Sequence, residues 1–186
     1  MKRLTILFIA LTLLVSGAFV SCKKVKELLE ITLHDVAYDV DINVSDLATK
    51  DGGYAFAGTA TFDPSSNSEL EPYLANIRRV VITEIKITVT SITPATGISL
   101  LNATFSLKDN VNNAEFTYQF TPKPLVAGAE FIIDNNAPDF SLISDIITNQ
   151  HQSTVSIRGS VNNPGFVIDF NTAIKADITV GVPNGK

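Results

Sequence analysis

The chain has 186 residues, of which 45% are hydrophobic and 18% charged, and it carries a formal net charge of −5. That balance argues against a nucleic-acid partner, which needs clustered Lys and Arg to neutralise phosphate; beyond residue 30 the only adjacent basic pair is Arg78–Arg79. With one Cys, two His and no Trp, the chain has no internal disulfide and few groups suited to acid–base chemistry or to stacking on sugars.

Met1-Lys2-Arg3 is a short basic head, followed by apolar residues and threonine from Leu4 to Val15 and by small residues from Ser16 to Ser21. A charged head, an apolar stretch and a small-residue cleavage point describe a secretory signal. Cys22, the sole cysteine, stands at that cleavage point. This segment resembles the lipobox of bacterial lipoproteins, with Phe19 where a branched aliphatic is usual and Val20, Ser21 and Cys22 in keeping. The resemblance implies cleavage after Ser21, diacylglycerol on the Cys22 sulfur and acylation of the new amino terminus. Two other readings stay open: plain secretion with an incidental cysteine, and a retained anchor from Leu4 to Val20, at the short end of the spanning range. Two or three acyl chains anchor a protein firmly without a transmembrane helix.

Under the lipoprotein reading, residues 1–21 are the signal, 22–30 a lipidated tether and 31–186 a single domain. Losing Lys2 and Arg3 takes the net charge from −5 to −7. In lipoprotein families an Asp directly after the cysteine often marks inner-membrane retention. Lys23 and Lys24 stand there instead, which favours the outer membrane, and the lack of an acidic tract slightly favours a domain facing the periplasm rather than the cell surface.

From residue 31 a period of two dominates, the mark of half-buried strands. In the first strand His34, Val36, Tyr38, Val40, Ile42 and Val44 are expected inward, with Asp35, Asp39, Asp41 and Asn43 outward. Asp51-Gly52-Gly53 is a turn, and Tyr54, Phe56, Ala60 and Phe62 form the next inward face, which ends at Asp63-Pro64-Ser65-Ser66-Asn67. Ser68 to Arg79 changes to helical spacing through Leu70, Leu74 and Ile77, with Ser68 as N-cap, Pro72 in the first turn and Arg78–Arg79 closing the helix against its dipole. Strand faces follow at Val81, Ile85, Ile87 and Val89, at Leu101, Ala103, Phe105 and Leu107 beyond the Thr93–Gly97 turn, and at Phe116, Tyr118 and Phe120. Phe131 to Ile133 reads as a short edge strand and Asp139 to Asn149 as a second short helix. Val155, Ile157 and Val161 line the penultimate strand. Phe166, Ile168, Phe170, Ile174, Ala176, Ile178 and Val180 line the last, joined to it by Asn162-Asn163-Pro164-Gly165.

Seven to eight strands with two short connecting helices and polar outer faces predict an all-β, antiparallel β-sandwich, with an immunoglobulin-like topology plausible and a barrel as the alternative. The layout resembles small β-sandwich lipoproteins of the Bacteroidetes, a resemblance that implies no activity.

The chemistry-bearing residues are sparse. Asp39 and Asp41, with Asp35 and Asn43, form an acidic stripe that reads as a solvated face, because calcium needs six to eight converging oxygens. Asp134, Asn135, Asn136 and Asp139 read as a helix-capping turn, and Asp109, Asn110, Asn112 and Asn113 as a hairpin turn. His34 and His151 have no metal-ligand spacing. Tyr38, Tyr54 and Tyr118 fall on inward parities, while Tyr73 is ambiguous. No catalytic residue, metal site or cofactor is expected; Cys22 is the one modified position. The expected function is a membrane-anchored envelope lipoprotein, not an enzyme, with a binding or structural β-sandwich whose partner is an envelope protein or glycan. An extracytoplasmic polysaccharide hydrolase with paired carboxylates and a calcium-stabilised adhesion module are the alternatives. Asn110–Ala114 and Asp134–Asp139 are the loops on which a ligand would be sought.

Overall fold

The computed structural model describes residues 30–50 and 53–181. The signal segment 1–21, Cys22, the tether up to residue 29, the Asp51-Gly52 turn and the last five residues lie outside them. Nine strands are described: β1 (Glu30–Lys50), β2 (Gly53–Phe62), β3 (Ile77–Thr93), β4 (Ser99–Asp109), β5 (Glu115–Phe120), β6 (Lys123–Pro124), β7 (Glu130–Ile133), β8 (Ser153–Val161) and β9 (Val167–Gly181). One α-helix, α1 (Ser141–Thr148), lies between β7 and β8.

The strands form two antiparallel sheets packed as a sandwich. One runs β7-β3-β9-β1 and the other β5-β4-β8-β2, with β6 beside β4. The long β1 belongs to both. Its residues Glu30–Ser45 pair with β9, and Asp46–Lys50 pair with β2. β9 is thus central to its sheet and β8 to the other, which is why the residues of β9 alternate without a break between buried and half-buried from Ile168 to Gly181.

Between the sheets lies one apolar core. Phe56, Phe105, Phe116, Phe166 and Phe170 are among its largest fully buried side chains. Phe56 meets Phe166 edge-on at 6.2 Å and Phe170 in a stacked contact at 6.4 Å. Rings prefer these offset and edge-on arrangements, and each such pair adds about 1 kcal/mol to the burial of its area. At one end α1 turns Ile143, Ile146 and Ile147 into the core, and Phe140, which leads into it, meets Phe116 edge-on at 6.3 Å.

Four expectations change, and three share one cause. A β-bulge adds a residue to one strand and reverses the parity of everything beyond it. On β1, His34 and Asp35 lie between Leu33 and Val36, opposite the single residue Asp177. His34 is therefore exposed rather than inward, while Asp35, exposed as expected, takes a positive φ of 55°. On β3 the extra residue Thr83 puts Val80 and Ile82 in the core and Val81 outside, while Ile85, Ile87 and Val89 stay inward as expected. On β4 the extra residue is Leu101, so Leu100 is buried and Leu101 exposed.

The fourth concerns Ser68–Arg79. Only Glu71–Asn76 is helical, as a 3-10 segment tied by a Tyr73 N–H bond to the Leu70 carbonyl at 2.7 Å. Ser68 caps nothing: Leu70 leads into the segment without a side-chain cap, and Asn67 accepts from the Glu69 N–H at 2.9 Å in the turn before it. Pro72 lacks an N–H to donate and the chain is already strand at Ile77, so the segment stays short and does not reach Arg79. Arg78 and Arg79 stand exposed at the start of β3 and close no helix.

Candidate functional site

The most heavily engaged carboxylate belongs to Asp109, at the end of β4. It is fully buried, and one oxygen accepts from the backbone N–H groups of Val111 at 2.8 Å and Asn112 at 3.1 Å. The other faces Asn112 Nδ2 and His151 Nδ1, both at 3.2 Å. Burial pushes this carboxyl upward, but the hydrogen bonds from Val111, Asn112 and His151 outweigh it and hold it down at about 2. The hairpin turn expected at Asp109–Asn113 is present, with Asn113 at a positive φ of 58°. It is also fastened to the segment after α1, since the Asn110 N–H bonds the Gln152 carbonyl at 3.2 Å and Thr154 donates to Asn110 Oδ1 at 2.9 Å.

The two histidines are kept apart. His151 serves Asp109, whereas His34 sits on the β1 bulge with its Nδ1 3.1 Å from Asp177 Oδ1. That same oxygen accepts from the Asp35 N–H at 3.2 Å, so Asp177 closes the bulge.

The acidic stripe is a polar ladder. Asn171 Nδ2 on β9 donates to Asp41 Oδ1 at 2.9 Å, while Asn43 and Ser91 both donate to Asp169. Ser91 first and Asn43 second hold the Asp169 carboxyl below its ordinary range. A cross-strand amide thus answers Asp41, and an amide and a hydroxyl answer Asp169 on the neighbouring strand. Asp134 accepts from the Asn136 N–H at 2.9 Å in the turn before α1. Among the described residues, no three of His, Cys, Asp and Glu converge closely enough to hold a metal ion, and no helix is long and apolar enough to cross a membrane.

Asp39 and Asp63 line one groove of about 180 Å³ where β1 parts from β2. The Ser65 hydroxyl and N–H hold Asp63 below the usual carboxylate range. A general acid requires the opposite shift. Tyr38 is buried and meets Phe62 edge-on at 5.3 Å, and burial pushes its hydroxyl ionisation up. Tyr54, Tyr73 and Tyr118 are half-buried against the core. The tyrosines pack rather than present a platform.

A larger depression escaped the sequence reading. It has a volume of about 460 Å³ on the outer face of the β5-β4-β8-β2 sheet, and Ala55, Asn102, Thr104, Arg158 and Ser160 line it over Phe56 and Gly159. Register builds it: Thr104 and Ala57 flank Arg158, and Asn102 and Ala55 flank Ser160. The β4 bulge matters here too, since it brings Asn102 and Thr104 to the outer face beside β8. Nothing in the local sequence marks these residues except the outward parity of Arg158 on a strand rich in Ser and Thr.

The fold and surface define an antiparallel two-sheet β-sandwich with a shallow groove across the outer face of one sheet. No protein-family model matches the chain, and no curated protein matches it. Solved structures similar to it include the decameric BFDV capsid protein (13% identity, TM-score 0.41, covering 82% of this chain and 99% of that one). Two others are TmCBM61 in complex with β-1,4-galactotriose (10% identity, TM-score 0.29, 83% and 90% covered) and a family 11 carbohydrate-binding module from Clostridium thermocellum in complex with a mixed-linked tetrasaccharide (12% identity, TM-score 0.30, 78% and 94% covered). Likeness at this level assigns no function.

Proposed function

We propose that the protein is a lipid-anchored lipoprotein of the bacterial outer membrane whose β-sandwich is a non-catalytic binding or structural domain, held at Cys22 and facing the periplasm. The observation that carries the non-catalytic part is how the carboxylates are used. Asp63, Asp109 and Asp169 are all shifted downward, each by donors that fasten a turn or a strand pair. Groups held this way are ionised at neutral pH and have no proton to donate, whereas glycoside hydrolysis needs one carboxyl raised and aimed at a leaving group. The rigid two-sheet scaffold suits presentation of a surface to a glycan or an envelope protein. The anchor rests on the basic head, the apolar stretch and Cys22.

Protease treatment of intact cells, with lysed cells as reference and Cys22→Ala as control, tests both anchoring and orientation. Wild type should fractionate with the membrane and resist digestion until lysis, and Cys22→Ala should be released to the soluble fraction. A Cys22→Ala protein still firmly in the membrane would overturn the anchor. Digestion of the wild type in intact cells would move the domain to the outer surface.

A further inference from the structure

We propose that the groove over β2, β8 and β4 is a binding site for a carboxylate-bearing saccharide, with Arg158 as its anion anchor. This deepens the binding reading above and rests on it. Arg158 projects from the middle of a central strand and is exposed, and its guanidinium makes no hydrogen bond or ion pair with any described residue. Its neighbours in the sheet supply no carboxylate to pair with it. Across the sheet stand Thr104 on one side and Ala57 on the other, and the adjacent row is Asn102, Ser160 and Ala55. None of these carries charge. A guanidinium presents a planar fork of donors that matches a carboxylate in a bidentate pair.

The remaining lining selects the rest of the ligand. Asn102 Nδ2 donates to Ser160 Oγ at 2.8 Å, which leaves Asn102 Oδ1 as an acceptor and the Ser160 hydroxyl hydrogen as a donor toward the groove. The Thr104 hydroxyl adds both. Alternating donors and acceptors beside one cation suit a polyol that carries a carboxylate, such as a uronic acid. The volume of about 460 Å³ lies within the range of small-molecule sites. An acidic peptide fits less well. β8 and β4 beneath it are paired on both sides, so no strand can be added to them. The lining also offers no deep apolar pocket for an anchor side chain.

Gly159 makes the floor. A β-carbon there would stand 2.2 Å from the Asn102 carbonyl oxygen and 2.9 Å from the Phe56 ring, so only glycine lets β4 and Phe56 approach β8 this closely. Ala55 and Ala57 keep the β2 wall low.

The test is binding of tri-galacturonate to the full chain in a non-ionic detergent, by calorimetry and by amide chemical shifts. Its carboxyl-reduced counterpart and a glutamate-rich peptide are run in parallel. Expected is a Kd of about 1 mM or tighter for the acidic trimer, with shifts centred on Asn102, Thr104, Arg158 and Ser160. The reduced trimer should bind far more weakly. Arg158→Ala should weaken binding by about tenfold, and Arg158→Lys by less, since charge remains while the fork is lost. Arg158 is exposed, so both variants keep the fold, and an unchanged melting temperature checks this. No binding at ~10 mM, equal binding of the reduced trimer, or an unaffected Arg158→Ala would each overturn the site. Binding of the peptide but not the trimer would overturn the saccharide assignment. Shortened trimer after incubation, with binding still dependent on Arg158, would keep this site and sink the non-catalytic reading instead.

Discussion

Asp109 shows how a single residue can hold two distant segments. Its carboxylate receives two backbone donors from its own turn and a ring nitrogen from His151, while Asn110 and Thr154 tie the same turn to the start of β8. Replacing it with Ala leaves the Val111 and Asn112 N–H groups without their acceptor, at about 1–3 kcal/mol. Urea unfolding at neutral pH should register that loss. The pH dependence follows in sign. The folded carboxyl titrates at about 2, below its ordinary 3.8, so its contribution is complete above the ordinary value and disappears as pH falls through about 2. Stability of the wild type should decline across that interval, and Asp109→Asn should flatten its share of the decline. An equally steep acid limb in Asp109→Asn would mean that other carboxylates govern it. The sequence showed Asp109 as a turn residue, but not the pairing with His151, because 42 residues separate them.

At the scale of elements, the bulges and the β1–β2 divergence shape the molecule. β1 leaves β2 after a short pairing and crosses to the other sheet. Gly58 permits that crossing, for a β-carbon on it would stand 2.5 Å from Val44 Cγ1 and 2.6 Å from Ile42 Cγ2. Gly58→Ala should therefore destabilise by about 1–3 kcal/mol through overpacking, seen as a lower urea midpoint with an unchanged m-value. A neutral result would show that β1 shifts freely, and that the crossing is loosely packed. Alternation predicted β9 without error because β9 carries no extra residue. It misassigned Val81, Leu101 and His34, each next to or within a bulge, because an added residue leaves composition intact and shifts only the register.

For the whole molecule, protection should follow position in the sheets. β9 is flanked by β1 and β3 along its length, and β8 by β2 and β4. Both should exchange their amide hydrogens slowest, near the global unfolding limit, and the four-residue edge strand β7 much faster. Hydrogen exchange followed by mass spectrometry measures this directly. Fast exchange in β9 would contradict a core built around it.

What the sequence determined by itself is local and periodic: the all-β class, most strand positions, the turns at Asp63, Asp109 and Asn162, and the inward faces of strands that keep strict alternation. Those features need only neighbours along the chain, because side chains alternate every residue and turn chemistry acts over three or four. The tertiary structure alone decided the sheet order, the sharing of β1 between sheets, the Asp109–His151 pairing and the groove at Arg158. Each depends on which strands lie side by side and in what register, and those choices are made by packing between residues dozens of positions apart.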